Sequence, residues 1–273
     1  MKKQVVLITG ASSGIGKATA EKLVKDGHIV YGAARRTDKM KDLRKQGIKI
    51  LRMDVSKEVD VVNGIDLIIK EQGRINVLYN NAGFGLYGAV EDVSLEDARY
   101  QFDVNLFGLA HVTQMVLPHM RKQGSGKIIN TSSIGGKIYT PLGAWYHATK
   151  HAVEGWSDCL RIEVKQFGID VVVVEPGVIQ TSFGNVFTGP MMKSSGKGPY
   201  RDMAMLMAQA TETSIEKGEG SSPNVIAEVV SKAIKAKKPK TRYAAGKLAK
   251  PLIFMRKTLS DKMFDRIIMS QMK

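Results

Sequence analysis

Residues 4–9 (QVVLIT) are apolar on both faces and run straight into glycines: Gly10, Gly14 and Gly16 follow with the spacing G-x-x-x-G-x-G, and a helical run over 15–25 begins among them. A strand without a polar face must be covered on both sides, which predicts the middle of a parallel sheet with helices above and below. Glycines between such a strand and a helix let backbone amides at the helix N-terminus face an anion. Gly10, Ser12, Ser13, Gly14, Ile15 and Gly16 are therefore the expected phosphate cradle.

Two other motifs overlap this loop. Gly10-Ala-Ser-Ser-Gly14 also spells the G-x-S-x-G nucleophile elbow of hydrolases, but a triad would need a histidine after a later strand, whereas His111, His119, His147 and His151 lie in helical patterns. A Walker A loop fails because Ala11 and Ala18 stand where it needs glycine and Ser/Thr.

The next apolar run, 29–33, reads as a second parallel strand after a crossover helix. Its end selects the dinucleotide. A carboxylate there would hold the ribose hydroxyls of NAD, but Ala34 is followed by Arg35 and Arg36, so nothing repels a 2′-phosphate and Arg35 is placed to grip one. NADP(H) is expected over NAD(H). A third strand over 48–53 ends at Asp54 and Val55, where the adenine edge would lie. A fourth over 75–79 runs into Asn80, Asn81, Ala82 and Gly83, small residues that let the backbone approach the cofactor and an amide that can tie neighbouring strands. The literal G-x-G-x-x-G from Gly83 to Gly88 is followed by no helix start and reads as a rim of the site.

Residues 95–121 carry one long helical pattern containing Asn105, whose amide in mid-helix implies a structural tie or a held water. Ser133 ends the loop after a fifth strand over 127–131. Tyr146 and Lys150, four residues apart on a helix expected over 144–167 with Gly168 as its C-cap, project from one face. An ammonium beside a phenol is expected to lower the phenol's pKa and make it an acid or base, with the serine hydroxyl on the same substrate oxygen. Ala148, Ala152, Trp156 and Leu160 share another face, suited to the sheet or to a second subunit. A sixth strand over 170–174 stops at Glu175-Pro176-Gly177, with Val178 and Thr181 beyond it; the Thr181 hydroxyl or its backbone is suited to a carboxamide or phosphate.

Periodicity weakens over 182–222. Its methionines, Met203, Met205 and Met207, suit a mobile substrate lid or ordinary helical core equally. An amphipathic helix is expected over 223–237 and an edge strand over 242–245. The tail, 247–273, alternates apolar residues with cations, a pattern that can lie on a membrane but more often packs on its own domain, the reading adopted here.

At 273 residues the chain fits one α/β domain. The single cysteine, Cys159, excludes a disulfide framework and is read as buried and inert. With no 18-residue apolar run and no signal-peptide core after Met1, the protein is expected in the cytoplasm. The net charge of +15 concentrates in residues 232–250 around one aromatic, Tyr243, too few for nucleic-acid stacking, so no nucleic-acid partner is expected.

Together Thr9-Gly-Ala-Ser-Ser-Gly-Ile-Gly16, Asn80-Asn-Ala-Gly83, Asn105, Ser133, Tyr146-His-Ala-Thr-Lys150 and Pro176-Gly177 resemble the short-chain dehydrogenase/reductase family in order and spacing, from about residue 4 to 181. The resemblance implies a Rossmann-type, doubly wound parallel sheet of about seven strands with helices on both faces. It also implies a catalytic set of Asn105, Ser133, Tyr146 and Lys150, with Asn105 holding a relay water, Tyr146 and Lys150 contacting the cofactor, and a homodimer or homotetramer. The run Arg242-Tyr-x-x-Gly-x-x-Ala249 with its basic tail is similar to members acting on steroids, retinoids or other lipophilic carbonyls. The expected activity is hydride transfer between NADP(H) and a small to medium-sized, lipophilic carbonyl/alcohol substrate; the alternative is a catalytically silent NADP(H)-sensing or scaffold protein of the same fold.

Overall fold

The computed structural model of the chain describes residues 3–181 and 183–270. Met1 and Lys2, the first residue of the expected lid (Ser182) and the last three residues of the tail lie outside the described residues. Strands β1 (Val5–Thr9), β2 (Ile29–Ala34), β3 (Lys49–Arg52), β4 (Val77–Asn80), β5 (Gly126–Thr131), β6 (Ile169–Pro176) and β7 (Arg242–Ala245) form one sheet in the order β3-β2-β1-β4-β5-β6-β7. Every neighbouring pair is parallel. The expected doubly wound architecture is what the chain adopts.

The helices are α1 (Gly14–Lys25), α2 (Lys41–Lys45), α3 (Glu58–Gln72), α4 (Leu95–Phe102), α5 (Gly108–Gln123), α6 (Ala144–Val164), α7 (Phe183–Ser195), α8 (Arg201–Glu216), α9 (Asn224–Lys235), α10 (Ala249–Thr258) and α11 (Asp261–Ser270). Alternate residues of β1 separate the two faces. Val5 and Leu7 join Val61, Ile65 and Ile68 of α3, Val112 and Val116 of α5, and Leu160 of α6. Val6 and Ile8 join Leu23 of α1 and Ile226 and Val230 of α9. Each such side chain, removed from water, contributes about 1.5–3 kcal/mol, so neither face of the central strand is dispensable.

Two sequence expectations are corrected. The pattern over 95–121 is not one continuous α-helix: Asp103–Phe107 form a π-helical turn between α4 and α5. Cys159 is exposed, because α6 buries the stripe Val153, Ser157, Leu160 and Val164 and turns residue 159 outward. The described part of the tail, whose apolar residues alternate with cations, folds as two helices separated at Leu259 and Ser260.

Strand order reverses beside β1, where successive crossovers leave in opposite directions and open a crevice at the carboxyl ends of the strands. The remaining functional expectations fall on the loops around that crevice.

Candidate active site

The glycine loop occupies the crevice floor. Gly10 has φ +68°, and a Cβ there would come within 2.8 Å of the Ala82 Cα; a Cβ on Gly16 would lie 2.3 Å from the Gly10 carbonyl oxygen. Only glycines allow this loop to close on the β4 loop. The Asn81 amide group locks it by donating to the carbonyls of Thr9 (3.2 Å) and Gly10 (3.3 Å), while the backbone amides of Asn81 and Ala82 donate to the Thr9 hydroxyl, each at 3.0 Å. Asn81 is thus engaged with backbone, the strand tie expected of an asparagine here. Ser13 stands at the N-cap of α1 in extended conformation, and its hydroxyl makes no capping bond. The first-turn amides of α1 therefore keep their donors for a ligand. Thr181 lies over this loop, its methyl 3.1 Å from where a Gly14 Cβ would be, and its hydroxyl accepts from the Phe183 amide (3.2 Å).

At the end of β2, Arg35 is exposed, donates to the Tyr100 hydroxyl, and has no carboxylate partner among the described residues. At the end of β3 the Asp54 carboxylate accepts from the Ser56 amide (3.1 Å) and hydroxyl (2.7 Å), and buried Val55 packs against Gly108. Beyond β6, the Gly177 amide donates to Ala245 (2.8 Å) and that of Val178 to Lys247 (2.9 Å), which fastens the Pro176-Gly177 corner to the segment after β7. A glycine cradle, uncapped helix amides and an arginine with no carboxylate partner among the described residues fit the phosphates of a dinucleotide.

Above the cradle, the Ser133 loop lies against α6. A Cβ on Gly135 would be 3.1 Å from the Tyr146 ring edge, and Ser133 holds the turn by accepting from the Gly135 amide at 3.0 Å. Tyr146 and Lys150 are 8 % and 7 % exposed, with the Lys150 Nζ 5.9 Å from the centre of the Tyr146 ring and donating to the Thr131 carbonyl (3.0 Å). A Cβ on Gly83 would be 3.0 Å from Asn105 Oδ1 and 3.7 Å from Lys150 Nζ, so these two side chains border one small space. The fold brings together all four residues of the expected set.

One detail differs from expectation. Burial pushes the Tyr146 hydroxyl above its usual range, with Ser133 pulling the other way, while burial pulls Lys150 down to about 8 against the raising influence of Glu154. The lysine is the group whose titration moves toward neutrality, because both groups are desolvated together and, among the described residues, the ammonium's hydrogen-bond partner is the neutral Thr131 carbonyl. Asn105 makes the structural tie: its amide donates to the Phe84 carbonyl (2.9 Å) and the Thr149 hydroxyl (3.1 Å), and its oxygen accepts from the Phe84 amide (3.0 Å).

The sequence marks His147 only as a helical residue. It is 6 % exposed and bridges two turns: Nδ1 lies 3.0 Å from the Gly135 carbonyl, and Nε2 accepts from the Thr140 amide at 3.1 Å. The ring so holds the Ser133 loop onto α6. Aromatic side chains close the top. Tyr87 stacks on Tyr146 (5.6 Å between centres) and on Phe187 (4.5 Å), and Phe183 lies 5.6 Å from Tyr146. Behind them Met191, Ala204, Met203 and Met207 of α7 and α8 form an apolar cluster with Leu142 and Ala89.

A doubly wound sheet with this crevice and this cluster defines a nicotinamide-dependent oxidoreductase. The profile of the short chain dehydrogenase family matches residues 4–188, and the chain belongs to that family. It is 40 % identical over 92 % of its length to a 3-ketodihydrosphingosine reductase of Bacteroides thetaiotaomicron, covering 91 % of that protein. It is 33 % identical over 98 % of its length to an NADPH-dependent 3-dehydrocapnine reductase of Ornithobacterium rhinotracheale, covering 96 % of it. The crystal structure of a short-chain dehydrogenase from Streptomyces avermitilis superposes with a TM-score of 0.80 at 31 % identity, covering 99 % of this chain and 95 % of that one.

Proposed function

We propose that the protein is an NADP(H)-dependent reductase of a lipophilic ketone, a long-chain 3-keto compound of the kind named for its relatives. The observation that carries this reading is the meeting of Ser133, Tyr146, Lys150 and Asn105 beside the glycine cradle. A bound dinucleotide would supply the hydride, and the residues that would hold it are Gly10, Ser12, Ser13, Gly14, Ile15 and Gly16 for its phosphates, Arg35 for a 2′-phosphate, Asp54 and Val55 for the adenine, and Ala82, Gly83, Pro176, Gly177, Val178 and Thr181 for the remainder. Ser133 donates a hydrogen bond to the substrate oxygen and orients the carbonyl. Tyr146 delivers the proton from its hydroxyl. Lys150, held in a dry site, sets a positive charge beside the phenolate that this transfer leaves, and Asn105 ties the Phe84 loop to α6 around it.

The walls support a lipophilic substrate. Tyr87, Phe183 and Phe187 meet Tyr146 with rings rather than charges, and the methionines of α7 and α8 conform to a flexible chain. These helices act as the lid of one catalytic domain spanning the chain.

NADPH oxidation measured against 3-ketodihydrosphingosine and shorter ketones tests the reading. Tyr146→Phe should lower kcat by about 10²–10⁴ with the Kd for NADPH unchanged; undiminished turnover would remove Tyr146 as the proton donor. Tight NADPH binding without turnover of any ketone would favour the silent sensor instead. Arg35→Ala should narrow the preference for NADPH over NADH by about tenfold, about 1.4 kcal/mol. An unaltered ratio of the two Kd values excludes Arg35 as the selector.

A further inference from the structure

Behind Lys150 lie two carboxylates with no part in the reaction described above. Glu154 is one helical turn further along α6, and Glu175 is the residue before Pro176-Gly177; each is 4 % exposed. Both converge on the same two cations. Glu154 Oε2 is 2.8 Å from Lys137 Nζ and 3.0 Å from Arg242 Nε, and Glu175 Oε1 lies 3.9 Å and 3.6 Å from those two nitrogens. Arg242 also bonds Asp158 (2.6 Å), which Arg161 shares. A Cβ on Gly136 would come within 3.0 Å of Glu154 Cγ and 2.9 Å of the Lys150 carbonyl oxygen, so the Ser133 turn is pressed onto this pair.

One oxygen of each carboxylate, Glu154 Oε1 and Glu175 Oε1, is buried without any hydrogen-bond donor. Two such acceptors are costly in a dry interior, and a single proton held between neighbouring carboxyl groups removes one buried charge and supplies the missing donor. We propose that Glu154 and Glu175 share one proton and act as a positioning pair for Lys150, the negative charge they retain one turn below that lysine keeping it protonated. The groups facing the pair are Lys137 from the Ser133 loop, Lys150 and Asp158 from α6 and Arg242 from β7. The raised titration of Glu175, to about 7 through burial and the Glu154 charge, agrees with the shared proton. The importance of the Lys150 proton rests on the function proposed above; the charge relation itself does not.

The test reads Lys150 directly. In ligand-free protein labelled with ¹³C at lysine Cε, with the Lys150 resonance assigned by its loss in Lys150→Arg, Glu154→Gln should bring its titration down by about one pH unit. Glu154→Asp should restore most of the difference. Glu175→Gln, which leaves Glu154 ionised without a competitor, should leave Lys150 at or above its original position. No movement in Glu154→Gln, or an equal fall in both variants, overturns the proposal. Should Glu154→Gln not fold, Glu175→Gln decides: the Lys150 curve of the unaltered protein should carry a minor inflection below its own midpoint that Glu175→Gln removes, and an inflection absent from the unaltered protein or unchanged in Glu175→Gln overturns the proposal. An enzyme inactive on every ketone but with this pattern intact counts against the proposed function and not against the pair.

Discussion

His147 shows how much one side chain next to a reacting group can decide. Because the Thr140 amide donates to Nε2, that nitrogen is bare, and the proton must be on Nδ1, where it donates to the Gly135 carbonyl. Burial holds the imidazole pKa below its ordinary value, so the bridge is intact at neutral pH and fails only when acid protonates Nε2. His147→Leu would leave a buried N–H and C=O without partners, about 1–3 kcal/mol each, read as a lower Tm. Released, the Ser133 loop should drift and kcat fall by up to about 10²-fold, with the Kd for NADPH unaffected. A normal kcat in a folded variant would show that the bridge does not position Ser133. No sequence signal marks this residue: it adjoins Tyr146, but its partners are set by a turn that only the folded loop reveals.

Between elements, polar contacts finish what apolar periodicity begins. The π-helical turn inserts one residue into the α4–α5 run, and that irregularity aims Asn105 at Phe84 and Thr149; hydrophobic spacing alone reads straight through it. Asn80 and Asn130, on adjacent strands, bond each other at 2.9 Å and extend to Thr113 of α5 and Ser157 of α6, tying both helices to the sheet. On the opposite face Asp26 joins α1 to α9 through Lys22 (2.6 Å), Lys235 (3.0 Å) and the Ser231 hydroxyl (2.6 Å). The bonds from these donors hold its carboxyl well below the ordinary range against the cost of burial. A depressed acid stabilises above its unfolded pKa and loses that contribution as pH falls through the folded value. Asp26→Asn should therefore cost about 2 kcal/mol at pH 7, and the gap to the unaltered protein should close on acidifying below about pH 4. A gap independent of pH, in urea melts at several pH values, would mean that packing and not charge joins these helices.

Across the whole molecule, the cradle at residues 10–16, the Asn80 to Gly83 loop, Ser133, and the Tyr146 and Lys150 pair are far apart in sequence and meet only because the order β3-β2-β1-β4-β5-β6-β7 lines their loops along one sheet edge. No described helix is long and apolar enough to cross a membrane. The strands, the crossover helices, the glycine loop and the shared face of Tyr146 and Lys150 were legible in the chain because each rests on local chemistry: period, side-chain size, backbone freedom, a spacing of one turn; Asn105 joined them only through the family resemblance. What only the tertiary structure decided is the environment of those groups: that Lys150 and not Tyr146 is drawn toward neutral titration, that Glu154 and Glu175 are buried against the same two cations, that Cys159 looks outward, and that aromatic rings roof the site. Those properties depend on how much water each atom loses and which charges approach it, and both are set by segments distant in the chain that a local pattern does not register.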